Sequence, residues 1–576
     1  MVNLQDYHLL LNAPIGYAKN PIQAKFEVPR TVLEPDYIVS PPPTGSKTID
    51  LLPPEILDKV TGLLSQIDTL SLACTCKALE QPCLDRLYSR VVVDSKYTQF
   101  NKEHSRSYTY INQLYSLKKF FQSKRKQTIK TLYVLSLPDL LWLGDPQMKG
   151  LQCEFFQSLT NLHELVWLAN FFDTEYLVHL PSHDLLTRLE LNVSRCHLDD
   201  RRYSFWFPNL EILSIRPFAS KETLTSFIRG LLAPEKSATA GRSLQSLKLA
   251  QFADDPAVLL PPARYLSNPQ EYLEATTHTR QDRTKFGGGI PEVILGKGGL
   301  SVLNVLTALS LDNILVCEED AHRIAKGVIL PQLRQLEMKN VSEVGESEAP
   351  KVGFLGILGP KVPGLQHLRL DFREASPDTV GPFLKCVKNL KSLDLVVRMN
   401  DVKKTYVDVD NMYVDYGETI GRLQQLEHLC VEVRVEMELL DKTQPTPVLM
   451  LEAFTQLASL RTLRLNGNEG AHAVETFLDL LRALPQLTML DVFGKWAGGP
   501  PNLGLGMVHP NVFDSWFKVQ HVALLYWRVQ SLLKYIRIRE CVFEVRDGVA
   551  NPRNHLDRWF DSQIRPGWGD EFTATW

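Results

Sequence analysis

At 576 residues the chain is long enough for several average domains or for one elongated repeat array. Its 44% hydrophobic and 22% charged residues suit a water-soluble globular protein, and a net charge of −3 gives no whole-chain bias toward nucleic acid or an anionic membrane. No apolar run approaches the ~18 residues of a membrane span. The opening MVNLQDYHLLLNAPIGYAKN lacks the basic start and apolar core of a secretory signal. Nine cysteines lie scattered, with only Cys74 and Cys76 close together, which points to a reducing intracellular compartment, cytoplasm or nucleus. Residues 1–48 read as a separate extended segment. Pro14, Pro21, Pro29, Pro35 and Pro41 to Pro43 break any long element, while Leu9, Leu10, Leu11, Ile22, Phe26 and Leu33 are too apolar for a fully solvated tail.

The next stretch, residues 52–88, reads LPPEILDKVTGLLSQIDTLSLACTCKALEQPCLDRLY. Proline at the first turn is tolerated because its missing N–H would be unpaired there. Ile56, Leu57, Val60, Leu63 and Leu64 then recur at the spacing of one helical face. Asp68 is a candidate N-cap for a second short helix carrying Leu70, Leu72 and Ala73, and a third begins near Pro82 and carries Leu84, Leu87 and Tyr88. Three short helices bury little surface alone, so the unit is expected to lean on a partner and on the chain that follows.

Leu52, Pro53, Glu55, Ile56, Leu57, Leu63, Leu64, Asp68, Leu70, Leu72, Ala73, Cys76 and Lys77, closed by Leu87 and Tyr88, resemble the F-box. In that family this segment hangs a substrate receptor on the Skp-type adaptor of an SCF ubiquitin ligase. Thr75 and Leu79 depart from the residues common at those places. The resemblance implies that Leu52, Pro53, Ile56, Leu57, Val60, Leu64 and Leu70 form the adaptor face or support it. Residues 49–94 are therefore taken as the F-box-like helical domain, and 95–127 as a linking helix region. The basic patch of Lys118, Lys119, Lys124, Arg125 and Lys126 reads as a solvated helix face, the sharper alternative being a phosphate or lipid site.

From residue 128 to 545 a phrase Leu-x-x-Leu-x-Leu recurs. Its copies begin at Leu132/Leu135/Leu137, Leu162/Leu165/Trp167 and Leu186/Leu189/Leu191, continue through Leu365/Leu368/Leu370 and Leu390/Leu393/Leu395, and end at Leu533/Ile536/Ile538. In Leu-x-Leu both leucines point one way along a strand and the middle residue the other. Spacings mostly at or above the ~20–29 residues of a leucine-rich repeat call for full helices on the outer side. The consensus asparagine after the third position stands at Asn192 and Asn466 and is missing from most copies. The phrase resembles the irregular leucine-rich repeats that follow F-boxes in many receptors. The expected fold class is α/β: a short helical F-box followed by a leucine-rich-repeat-like solenoid, parallel strands inside and helices outside. Residues 254–300 read as an insertion or long loop with room for a degenerate repeat; their glycines lack the order of a phosphate loop. Residues 546–576 read as a C-terminal cap of the last strand or a tail that presents a docking surface.

No catalytic constellation stands out. His179 and His183 are separated by Pro181, against a metal-binding helix, and His428 with Cys430 is a weak candidate nucleophile pair on the open face. No catalytic residue, metal or cofactor is expected. Arg369, Arg464, Phe493, Tyr535 and Arg537 are the candidate target anchors on that face, because arginines and aromatics dominate binding energy. The resemblance implies a non-catalytic receptor subunit of an SCF-type ligase. Its partners would be the Skp-type adaptor, through it a cullin, and an unidentified target protein. The alternative is an interaction or scaffold protein that binds the adaptor without cullin. A third reading, RNA or phospholipid binding through the basic patch at 118–126, predicts salt-sensitive binding to polyanions.

Overall fold

The leucine phrase becomes a stack of parallel strands in which each copy lies in register on the last. A computed structural model of the chain describes residues 52–64, 66–75, 77–94, 108–111, 114–137, 146–169, 172–173, 175–193, 207–218, 221, 224–225, 227–228 and 243–251. It continues with 289–295, 303–343, 352–373, 379–400, 406–436, 441–467, 471–494, 512–538, 541–553 and 556–566. The expected extended segment 1–48, part of the linking region and most of the 254–300 insertion lie outside the described residues.

The described strands are β1 Arg90–Asp94, β2 Thr109–Ile111, β3 Thr131–Ser136, β4 Glu164–Trp167, β5 Arg188–Val193, β6 Ile212–Phe218 and β7 Ser246–Gln251. Then come β8 Ala308–Asp312, β9 Leu315–Val316, β10 Gln335–Glu343, β11 His367–Arg373, β12 Ser392–Asn400 and β13 His428–Glu436. The last are β14 Asp441–Gln444, β15 Thr462–Gly467, β16 Met489–Gly494, β17 Tyr535–Ile538, β18 Cys541–Arg546 and β19 Val549–Pro552. Leu189, Leu213, Leu247, Leu309, Leu336, Leu368, Leu393, Leu429, Leu463, Leu490 and Ile536 are successive register partners, one per repeat, and every one is buried. Outer helices such as Tyr406–Gly421, Val448–Phe454 and Ala471–Ala483 cover that leucine side. The chain is thus an α/β leucine-rich-repeat-like solenoid.

Two devices hold the register between leucines. The residue ahead of each strand donates its N–H to the equivalent residue of the preceding repeat, as in Gln366 to Arg334, Lys391 to Gln366 and Glu427 to Lys391, each at 2.8 Å. Asparagine does the same from the turn: Asn161 Nδ2 donates to Gln127 O, Asn209 to Asp184 O and Asn389 to Pro363 O. Asn192 and Asn466 donate to the Leu168 and Gln444 carbonyls. Buried backbone groups need such partners, so these residues fix the turns rather than decorate them.

Several boundaries differ from those read in the sequence. The first phrase is shifted by three residues: Leu132 and Val134, following Ile129, are register partners of Leu165 and Trp167, while Leu135 turns to the opposite side and packs with Tyr133 and Val166. The solenoid starts ahead of residue 128, because Val91 and Val93 pair with Leu132 and Val134 and β2 adds outside them. Valines hide that repeat from a leucine search. Across the insertion β7 pairs directly with β8, so the two flanking repeats are neighbours in the sheet. Its end forms the helix Ile290–Leu295, which takes an outer-layer position with Leu295 against Gly327. The main-chain N–H of Gly289 donates to Asp320, so this end of the Gly-rich stretch is tied into the fold.

The helical unit comprises α1 Pro54–Gly62, α2 Gln66–Ala73 and α3 Lys77–Ser89. It has a small core of Leu57, Leu79 and Cys83. The third helix begins at Lys77, so Pro82 falls inside it rather than at its start. Helix α3 runs into β1 with no residue between them. Gln66 brackets the Tyr110 backbone through both amide atoms, Arg125 reaches Asp85 and Gln81, and Tyr88 stacks on Phe120. At the far end β18 pairs antiparallel with β17 and β19 with β18, extending the sheet past the last repeat. Among the described residues no helix is long and apolar enough to cross a membrane.

Close helix contact carries one test. A Cβ added at Gly421 would stand 2.8 Å from the Ala453 carbonyl, backbone that cannot swing aside. Gly421→Leu should cost ~1–3 kcal/mol through overpacking, read as a lower urea midpoint.

Candidate functional site on the open face

Opposite the leucines, the middle residues of Leu-x-Leu form a single row across the sheet. By register it runs Tyr133, Val166, Glu190, Ser214, Lys248, Ser310, Glu337, Arg369, Asp394, Cys430, Arg464, Asp491 and Arg537. Adjacent strands lie ~4.8 Å apart, so opposite charges in neighbouring places meet directly. The row begins apolar, with Val92, Tyr133, Val166 and Leu168 clustered and buried. It then becomes a chain of ion pairs. Glu190, 1% exposed, is gripped by Arg188 and Arg216. Arg369 lies between Glu337 at 3.0 Å and Asp394 at 3.2 Å. Asp491 lies between Arg464 at 3.4 Å and Arg537 at 2.7 Å. Further along the strands from this row, Arg398 and Arg434 of the second outward row pair with Asp371 and Glu432 of the first.

The C-terminal helix Asp557–Ile564 lies on this face across the last repeats. Phe560 and Ile564 are buried with Met489 and Val542, flanked by Tyr535 and Trp559. The Tyr535 and Trp559 rings meet edge to face at 4.7 Å, and the Arg537 guanidinium lies 4.8 Å from the Phe560 ring. Asp561 takes the other side of Arg537 at 2.7 Å. Thr462 Oγ donates to the Ile564 carbonyl, and Arg565 reaches Asp394 at 3.3 Å and Cys430 Sγ at 3.5 Å. Burial alone would raise the Asp394 carboxyl; Arg565 and Arg369 outweigh it and hold it below the ordinary carboxylate range.

The residues expected as anchors are therefore brought together, and are already engaged. Arg464 covers the Phe493 ring at 4.8 Å and pairs with Asp491, Arg369 is held between two carboxylates, and Tyr535 and Arg537 lie beneath the C-terminal helix. His428 and Cys430 share the face but make separate contacts: His428 Nδ1 meets Thr462 Oγ1 at 2.9 Å. Burial pushes the Cys430 thiol up to about 12, the wrong direction for a nucleophile. His179 pairs with Glu175, and His183 meets the Leu177 carbonyl. Among the described residues no group of three or more His, Cys, Asp or Glu is arranged to hold a metal. The sequence places Asp394 and Asp491 on the open face with the arginines, but not Phe560, Ile564 and Arg565 of the C-terminal helix, which join them there. The signal for the helix is its own spacing, aromatic Phe560 and aliphatic Ile564 four apart with Arg565 next.

A second surface lies on the helical unit. Leu52, Ile56, Leu63 and Leu70 are 36%, 41%, 76% and 45% exposed, and Pro53 is exposed beside them. Leu57 is buried, while Val60 and Leu64 are half-buried.

No family model and no curated protein matches the sequence. Among solved structures, a TLR13–ssRNA13 complex overlaps at 12% identity over 65% of this chain and 61% of that one, with a TM-score of 0.23. A PEPR1–AtPEP1 structure overlaps at 12% identity over 65% of this chain and 46% of that one, with a TM-score of 0.21. The chain thus spans less than two thirds of either, and the fold assignment rests on its own strand register.

Two tests follow from the charges. Asp491 is fully buried between two arginines, so Asp491→Asn leaves their charges uncompensated and should cost ~3–5 kcal/mol in urea unfolding. His428 is held down to about 4 from 6.5, by burial first, so the unfolded chain binds the proton at higher pH than the folded one. Its contribution is complete above pH 6.5 and is lost as pH falls to about 4. His428→Gln should flatten the fall in urea midpoint across that window relative to the parent chain.

Proposed function

We propose that the protein is a non-catalytic receptor that docks on a Skp-type adaptor through α1 and α2 and presents a target protein on the open face of its solenoid. The supporting observation is the exposure of Leu52, Ile56, Leu63 and Leu70 on a unit whose own core is made by Leu57, Leu79 and Cys83. Burying a fully exposed side chain of this size gains ~1.5–3 kcal/mol, and these side chains gain a share of that in proportion to their exposure. Isolated exposed leucines are ordinary; four within 19 residues, in the order that resembles an F-box, favour an interface.

In an SCF-type ligase the receptor acts by proximity. It raises the local concentration of a target lysine beside a ubiquitin thioester carried elsewhere, and supplies no reacting group itself. The direct continuation of α3 into β1, with Gln66 on the Tyr110 backbone and Tyr88 stacked on Phe120, supports this reading by joining the docking unit to the first repeats.

The test is capture of the Skp-type adaptor and a cullin by the full chain. Ile56→Asp with Leu63→Asp should abolish capture of both while leaving the unfolding midpoint unchanged, since neither side chain is in the core. Adaptor without cullin would identify an adaptor-bound scaffold instead of a ligase receptor. Capture unaffected by the double substitution would overturn the docking role of this surface.

A further inference from the structure

The sheet is already extended past the last repeat before the chain reaches its last helix. Strand β18 pairs with β17 and β19 with β18, while the helix Asp557–Ile564 packs on β15 and β16, so it lies on the face of the array rather than over its last strand. Eight residues are also too few to hold a helix in water without a surface to lie on. This helix sits on the open face as a bound peptide would, through an apolar anchor and a charged lock. Phe560 and Ile564 fill the anchor against Met489 and Val542, and Arg565 reaches the buried Asp394. The lock is incompletely made. No hydrogen bond reaches Asp394 Oδ2, which is on a side chain nine-tenths buried, and Arg565 Nε stands 3.3 Å from it without alignment. Arg369 Nε stands 3.2 Å from the same oxygen, so Arg565 adds a second positive charge there rather than a directed hydrogen bond, and this lock is made of charge more than of alignment.

We propose that the open face of β12 to β17 is a helix-docking site filled in cis by residues 557–565, and that its partner in trans is a short amphipathic helix of the same chemistry. That helix carries an aromatic residue, an aliphatic residue four places on and an arginine next to it, and it displaces the cis helix. The proposal deepens the receptor reading of the open face and rests on it for the supply of a target. Because the cis segment is tethered, its effective concentration is of order millimolar, and a trans partner must outbid that.

The probe is a fluorescein-labelled peptide of residues 553–566, titrated into the full chain and read by anisotropy. Phe560→Ala with Arg565→Glu in the full chain weakens the cis occupant, and the peptide should then bind at least ~10-fold tighter than to the parent chain. A peptide carrying the same two substitutions should not bind. A double variant that keeps the parent's unfolding midpoint yet gains no affinity for the peptide overturns the proposal. Hydrogen exchange on the unmodified chain decides the matter if that variant does not fold. Amides of Trp559 to Ile564 should exchange at least ~10-fold faster than those of Ile536 and Ile538, which open only with the core. Equal protection would make the helix an integral part of the solenoid and would also overturn the proposal. Adaptor capture depends on residues 52–70 and is unchanged by either variant, so failure here and failure of the receptor reading are distinguishable.

Discussion

Everything in this molecule depends on parallel register. Once Leu368 lies beside Leu336 and Leu393 beside Leu368, the backbone ladder places Arg369 between Glu337 and Asp394 with no further choice. The leucine side supplies the driving force, since each strand buries two apolar side chains beneath the outer helices. The opposite side receives whatever charge the middle residue carries. A slip of one residue in any strand would exchange the two faces, burying arginines and exposing leucines. The turn asparagines and the N–H ladder ahead of each strand guard against that slip at every step.

The open face is consequently more ordered than a polar surface of mixed sign. Exposed ion pairs contribute ~0–1 kcal/mol each, but the pairs around Glu190, Asp394 and Asp491 are largely withdrawn from water, where loss of one partner is far more costly. The C-terminal helix completes this withdrawal over the last repeats. Its Arg565 joins Asp394 from above while Arg369 joins it from the neighbouring strand. Specific polar chemistry is thereby placed under an apolar lid made by Phe560 and Ile564.

Much of this was legible in the sequence, for reasons that particular residues make clear. Leu-x-Leu copies such as Leu368/Leu370 and Leu393/Leu395 announce themselves because both leucines are needed inside. The first repeat did not, because Val91 and Val93 fill the same places with smaller side chains and Leu135 imitates an inward leucine from the wrong face. Alternating signs along the middle row were visible, but pairing between rows requires the strand spacing and the register, neither of which is local. The contact of Arg565 with Cys430 joins residues 135 apart, and no periodicity in the chain points to it. The apolar stripe at residues 52–70 was visible as a pattern; which of its members are exposed depended on how α3 packs against α1 and α2.

The alternating row has a consequence for how such an array can change. In a solenoid of interchangeable repeats, one unit can be lost or gained and the neighbours close ranks. Here the repeats with a charged middle residue between two opposite charges carry half of their neighbours' electrostatics. Removing the unit that bears Asp491 would set Arg464 beside Arg537, and removing the unit that bears Arg369 would set Glu337 beside Asp394. Like charges one strand apart and shielded from water would strain the closed gap. The repeats that bear Arg369 and Asp491 are therefore held in place by their neighbours' charges, and variation there is expected by substitution and by loop length rather than by deletion of those units.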